Sequence, residues 1–189
     1  GAEQLPTLEG RIGRLSSLQE KLQHQLEVID ELPEEFQRNA WRLKLALAEV
    51  ALAGDRPKLA REQMKEVLGE AAVTDSETQK RLARTRVLVC LLGSEDSSTD
   101  VTPAELAETE TALASLPEGE RQTRRLKSAL RMAEARMQFR NGDTAAALDT
   151  YRNAFSEMTR LCEEQPSLSP LRIWRARGYA SAAQAASRC

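Results

Sequence analysis

The sequence predicts an all-α protein: about eight antiparallel helices paired as hairpins, forming either a stacked α-solenoid or an irregular bundle. Three observations carry this. The chain is rich in Ala, Leu, Glu, Arg and Gln, which lose little side-chain freedom in a helix, and only 4% of its residues are aromatic. Its β-branched residues never accumulate in alternating runs, so no strand is expected. Helix stop and start signals recur at short intervals along all 189 residues.

The first helix is expected from Thr7 to Leu32. Leu8, Leu15, Leu22 and Ile29 fall at heptad spacing, with Ile12, Leu18 and Leu26 on a second apolar line broken at Gln19 and Gln25. Two readings stand: a long helix lying on the rest of the fold, or a coiled-coil seam that assembles copies through Leu15, Leu22 and Ile29. Residues 1–33 are therefore set apart from a helical-hairpin domain over 34–189. Pro33 ends the helix by disfavouring helical geometry in the residue before it. Glu34 and Glu35 suit the positive end of a second helix, which runs to Ala53 with Phe36, Ala40, Leu43, Leu47 and Val50 inward and Trp41 and Leu45 widening the face.

Gly54-Asp55 breaks that helix, and Pro57 fits the first turn of a third, carrying Leu59, Met64, Val67 and Leu68 to about Ala72. Thr74 with Glu77 reads as a capping box opening a fourth helix through Leu82, Val87 and Leu91 to Gly93. The polar run Ser94–Asp100 follows as a loop. Thr102-Pro103-Ala104-Glu105 is a second capping box, and its helix carries Leu106, Leu113 and Leu116 up to Pro117. A sixth helix is expected from Glu118 to Arg140, with Leu126, Leu130, Ala133 and Met137 inward. Asn141-Gly142-Asp143 turns the chain into a seventh, Thr144 to Glu164, bearing Ala147, Leu148, Tyr151, Phe155, Met158 and Leu161. Ser169-Pro170 opens a last helix to Ser187 with Leu171, Trp174 and Tyr179.

Two of these hairpins share a pattern. In the stretch from Ser128 to Phe155, Ala135, Gly142, Asp143, Ala147, Tyr151 and Ala154 stand where a tetratricopeptide repeat has its small residue, Gly-Asp turn, alanine, aromatic and alanine. This stretch resembles that family. The resemblance implies a right-handed α-solenoid that binds a protein or peptide, usually in a concave groove. Small residues let the two helices approach, and the aromatic fills the gap to the next hairpin. The stretch from Leu43 to Leu68 departs from the pattern: Ala60 comes one place late relative to Gly54-Asp55, and Met64 replaces the aromatic. Neither stretch has the closing proline at its expected place.

The candidate binding residues come from two clusters. Arg121, Arg124, Arg125, Lys127, Arg131, Arg136 and Arg140 make the sixth helix basic. They are either a solvated face paired with acidic neighbours or a strip that docks an acidic peptide, with Arg124 and Arg131 as its probes. Arg172, Trp174, Arg175 and Tyr179 combine the residue types enriched at interface hot spots, or else cap the end of the core.

Other chemistry finds little support. The one histidine, His24, has no ligand or triad partner at useful spacing. Cys90 reads as a small buried thiol. Cys162, near a helix C-terminus, lacks the positive field that makes a thiolate, and Cys189 ends the chain. The acidic loop lacks the ligand alternation and central glycine of a calcium-binding hand. The glycines are scattered, with no phosphate loop. No catalytic residue, metal or cofactor is expected. A net charge of −2 gives no reason to expect nucleic acid, and no apolar run approaches the ~18 residues of a membrane span. The opening Gly1-Ala2 reads as a cloning remnant with native sequence ahead of it, and a reducing cytoplasm is the default compartment. The function expected is a non-enzymatic interaction scaffold or adaptor, with self-association through the first helix as the alternative.

Overall fold

The computed structural model describes residues 8–30, 40–70, 76–95, 101–164, 179–180 and 182–183. Among them the chain is helical, without strands: α1 (Leu8–Asp30), α2 (Ala40–Ala53), α3 (Pro57–Glu70), α4 (Ser76–Glu95), α5 (Pro103–Ala114), α6 (Arg121–Arg140) and α7 (Thr144–Glu164). Most of the eighth predicted helix lies outside the described residues, as do the expected start of α2 at Glu34 and the Thr74 capping position; residues 179–180 and 182–183 are helical. None of the described helices is long and apolar enough to cross a membrane.

The chain divides into two compact units, Gly1–Thr74 and Asp75–Cys189. In the first, α2 packs against both α1 and α3. A helix covered from two sides is buried over a wide arc, so Trp41, Leu45, Ala48 and Leu52 are buried along with Ala40, Leu47 and Ala51. Leu43 and Val50, expected on the inner face, are only half-buried. In the second unit α6 is central and packs against α4, α5 and α7, while α4 also meets α5. One apolar core joins Val87 and Leu91 of α4, Leu106 and Leu113 of α5, Leu126, Ala129, Met132 and Ala133 of α6, and Tyr151, Phe155 and Met158 of α7. The alanines of α6 let three helices close on it.

Local signals set several of the helix ends. Thr102 caps α5 as expected: its Oγ1 accepts from the Glu105 amide at 3.2 Å, and the Glu105 carboxylate accepts from the Thr102 amide at 2.8 Å. Pro117 to Glu120 form a turn closed by the Glu120 amide on the Pro117 carbonyl (3.3 Å), so α6 starts at Arg121 rather than Glu118. α4 passes through Gly93 to Glu95, because its last carbonyls find donors on α6, described below.

The two hairpin turns repeat one hydrogen-bond pattern. At the end of α6, Gly142 (φ 87°) donates to the Phe139 carbonyl at 3.1 Å, and the Asp143 amide donates to Gln138 at 3.0 Å. This is a Schellman motif with glycine in the left-handed position. At the end of α2 the Asp55 amide donates to Leu52 at 3.1 Å and the Arg56 amide to Ala51 at 2.9 Å. Here the left-handed residue is Asp55 (φ 58°), not Gly54. With Asp55 matched to Gly142 the hairpins align without a shift: Ala48 with Ala135, Ala60 with Ala147, Met64 with Tyr151, Val67 with Ala154. All eight residues are buried. The apparent late placement of Ala60 came from taking the glycine as the pivot.

This comparison predicts opposite outcomes at the two pivots. A Cβ at Gly142 meets no neighbour, so Gly142→Ala should cost only the left-handed backbone penalty, about 1 kcal/mol. Asp55→Gly should instead stabilise the protein by about 0.5 kcal/mol, since aspartate tolerates this conformation less well than glycine. Urea denaturation of both variants measures the two signs.

Candidate partner-binding surface

The basic residues of α6 do not form one strip, because tertiary packing sends them to different partners. Arg136 turns inward and is 6% exposed. Its guanidinium donates to the Leu91 carbonyl (3.2 Å), the Ser94 hydroxyl (3.3 Å) and the Glu95 carboxylate (2.7 Å). Arg140 donates to the Ser94 carbonyl at 2.8 Å. Two cations thus close the negative end of α4.

Arg124 ties α6 to α7. Its Nε donates to Glu157 at 2.6 Å and its terminal nitrogens to Glu164 at 3.1 Å. Arg121 and Arg160 approach the same Glu164 carboxylate at 3.6 Å. The bond from Arg124 holds the Glu164 carboxyl below its ordinary range, and the Glu164 and Glu157 bonds raise Arg124. Arg124 therefore serves the α6–α7 contact, and changing it tests folding together with any binding. Arg125 is half-buried, and burial followed by the like charge of Arg84 lowers its pKa. Lys127 pairs with Glu118 at 3.0 Å on the surface.

The Glu164 cluster gives a pH prediction. A carboxylate with a depressed folded pKa adds stability above its ordinary value of 4.5, and loses it as pH falls through the lowered folded value. Glu164→Gln should therefore flatten the acid limb of melting temperature against pH below the ordinary value of 4.5, with little change in the slope at higher pH. An unaltered acid limb would show that the cluster is too well solvated to matter.

Arg131 remains. It is exposed and makes no ion pair or hydrogen bond among the described residues. It stands on the lip of a groove of about 520 Å³ between α5 and α6. Leu106, Leu113 and Leu130 form a buried floor with half-buried Met137. Pro103, Ala107 and Ala114 keep the α5 wall low, and Glu110, Glu118, Lys127 and Glu134 complete the charged lips. Sequence reading singled out Arg131 and expected a groove, but it named neither Glu110 nor the helices that form the walls. The spacing of Leu130, Arg131, Glu134 and Met137 held part of the signal, whereas the opposite wall comes from a different helix.

A second, more open cleft of about 710 Å³ lies beside α7, lined by Leu148, Arg152, Phe155, Thr159, Tyr179 and Ala182 among others. Tyr179 stacks on Phe155 with ring centroids 4.3 Å apart, and Phe155 on Tyr151 at 5.8 Å. Tyr179 covers the core edge with one side and remains 51% exposed on the other. Arg172, Trp174 and Arg175 lie outside the described residues.

On α1, Leu15, Leu22 and Ile29 are half-buried, and Leu15 borders a small cleft with Val50, Ala53 and the turn at Gly54–Arg56. Among the side chains described on this helix, Leu18 and Val28 are the large apolar ones that are exposed. His24 is exposed and lies 3.6 Å from Glu27. Cys90 is buried against the Thr109 hydroxyl, and Cys162 is partly buried. No cluster of three metal-ligating side chains occurs among the described residues.

No protein-family model matches the chain, and no curated protein or solved structure is significantly similar to it.

Proposed function

We propose that the chain is a non-enzymatic protein–protein interaction scaffold, built of tetratricopeptide-like hairpins, that binds a protein or peptide partner in the groove between α5 and α6. The observation that carries this reading is the groove itself. It combines a floor of leucines with lip charges, Arg131 and Glu110, that have no intramolecular partner among the described residues. An apolar floor supplies affinity by leaving water, and unpaired lip charges supply orientation and selectivity. The matched hairpin turns, and the packing of α6 on both α4 and α5, support a stacked-hairpin architecture.

The test is selection of peptide ligands from a displayed random library against the 189-residue chain, followed by amide chemical-shift mapping. The reading expects ligands whose shifts centre on Leu106, Leu130 and Met137, and an affinity loss of about tenfold in Arg131→Glu. Ligands that map away from α5 and α6, or none at all, would refute it.

A second reading, self-association through α1, rests on the exposure of Leu18 and Val28. It expects a concentration-dependent mass in sedimentation that Leu18→Gln with Val28→Gln abolishes; a constant monomer mass removes it.

A further inference from the structure

We infer that the occupant of the α5–α6 groove is an amphipathic helix with one acidic and one basic flank, the acidic flank lying against α6 and the basic flank against α5. The inference rests on the proposed binding role and adds the partner's chemistry and direction.

The walls decide for a helix. Both are α-helices whose backbone groups are already bonded within themselves, so the groove offers a bound chain side chains rather than a row of free amides and carbonyls. An extended peptide would bring its own backbone groups over an apolar floor with few partners, whereas a helix satisfies them internally. The floor also has the length for it. The twelve residues of α5 rise about 18 Å, room for an apolar stripe at i, i+3, i+4 and i+7.

The lips decide the flanks. Glu110 and Glu118 stand on the side of α5 and its following turn. Lys127, Arg131 and Glu134 stand on α6, with Glu134 also accepting from Gln138 at 3.3 Å. One lip carries two negative charges and the other a single net positive charge. Lys127 and Glu118 already meet each other at 3.0 Å, which leaves Arg131 and Glu110 as the groups with most to gain from a partner. Turning a bound helix end for end exchanges its flanks. The charges therefore fix the direction in which it lies, while the leucine floor is indifferent to direction.

The probe is a synthetic helical peptide of about 15 residues, with a leucine stripe, glutamate on one flank, lysine on the other and a nitroxide at its N-terminus. Fluorescence anisotropy should show it binding about tenfold more tightly than peptides with lysine, or glutamate, on both flanks. The nitroxide should broaden amides at one end of α5 only, and in the double variant Glu110→Lys with Arg131→Glu the broadening should move to the other end. Both residues are exposed, and unchanged core amide shifts would verify that the variant is folded. Equal affinity for the three peptides, or a direction unchanged in the double variant, would overturn the inference while leaving the groove reading intact. So would library ligands that occupy the groove in extended form. Ligands that avoid the groove altogether would instead overturn the proposed function.

Discussion

Tyr151→Ala should destabilise the protein by about 4 kcal/mol, near the upper end for a single core truncation. Tyr151 is 2% exposed and is the largest of the fully buried side chains among the described residues. It sits where α7 crosses the alanines of α6, with its ring stacked on Phe155. Alanine leaves a void whose lining cannot collapse easily, because Ala133, Ala135 and Ala154 have no side-chain length with which to follow. Against a typical total of about 5–15 kcal/mol, this loss would leave the groove-bearing unit only marginally folded. Urea denaturation gives the value. Tyr151→Phe keeps the ring and should cost far less, about 1 kcal/mol at most. If alanine and phenylalanine cost the same, the hydroxyl rather than the ring holds this position.

The part of the fold that could be read from the sequence is the part decided locally. The Thr102–Glu105 box, the Gly142 turn and the apolar spacing of α7 each involve residues within about one or two turns of each other, and each stands where expected. Asp55 marks where local reasoning stops. Glycine is the default left-handed residue, yet the backbone places aspartate there, and only the hydrogen bonds of Asp55 and Arg56 reveal the register. The basic face of α6 was legible as composition but not as function. Arg136 finds Leu91, and Arg124 finds Glu164, across separations that no local pattern encodes. A groove was expected, but its place was hidden for the same reason. Its floor takes Leu106 and Leu113 from one helix and Leu130 and Met137 from another, and Arg131 stands apart from its fellow arginines only once their partners are known.

Arg136→Met should cost about 3 kcal/mol, although it replaces a polar residue with an apolar one of similar size in a buried place. An apolar replacement is nearly neutral only when the partners left behind also lose their need for a donor. Here they do not. The Leu91 carbonyl and Ser94 hydroxyl are buried at the end of α4, and each would forfeit a charged donor; the carbonyl would keep its bond from the Ser94 hydroxyl at 2.7 Å, whereas that hydroxyl would lose the donor it accepts from. Glu95 is less demanding, since its side chain is 30% exposed and water can reach it. That exposure argues for a figure at the bottom of the range for broken buried pairs, about 3–5 kcal/mol. A double-mutant cycle with Glu95→Gln separates the contributions. The coupling between the two residues should be about 1 kcal/mol, with the greater part of the loss persisting when Glu95 is already neutral. Arg140→Met, which removes the bond to the Ser94 carbonyl from an exposed residue, should cost less than Arg136→Met, about 1 kcal/mol. If the cycle instead placed nearly all the loss in the Glu95 coupling, Arg136 would be an ion-pair partner rather than the cap of α4. The end of α4 would then owe its extension past Gly93 to something other than these two arginines.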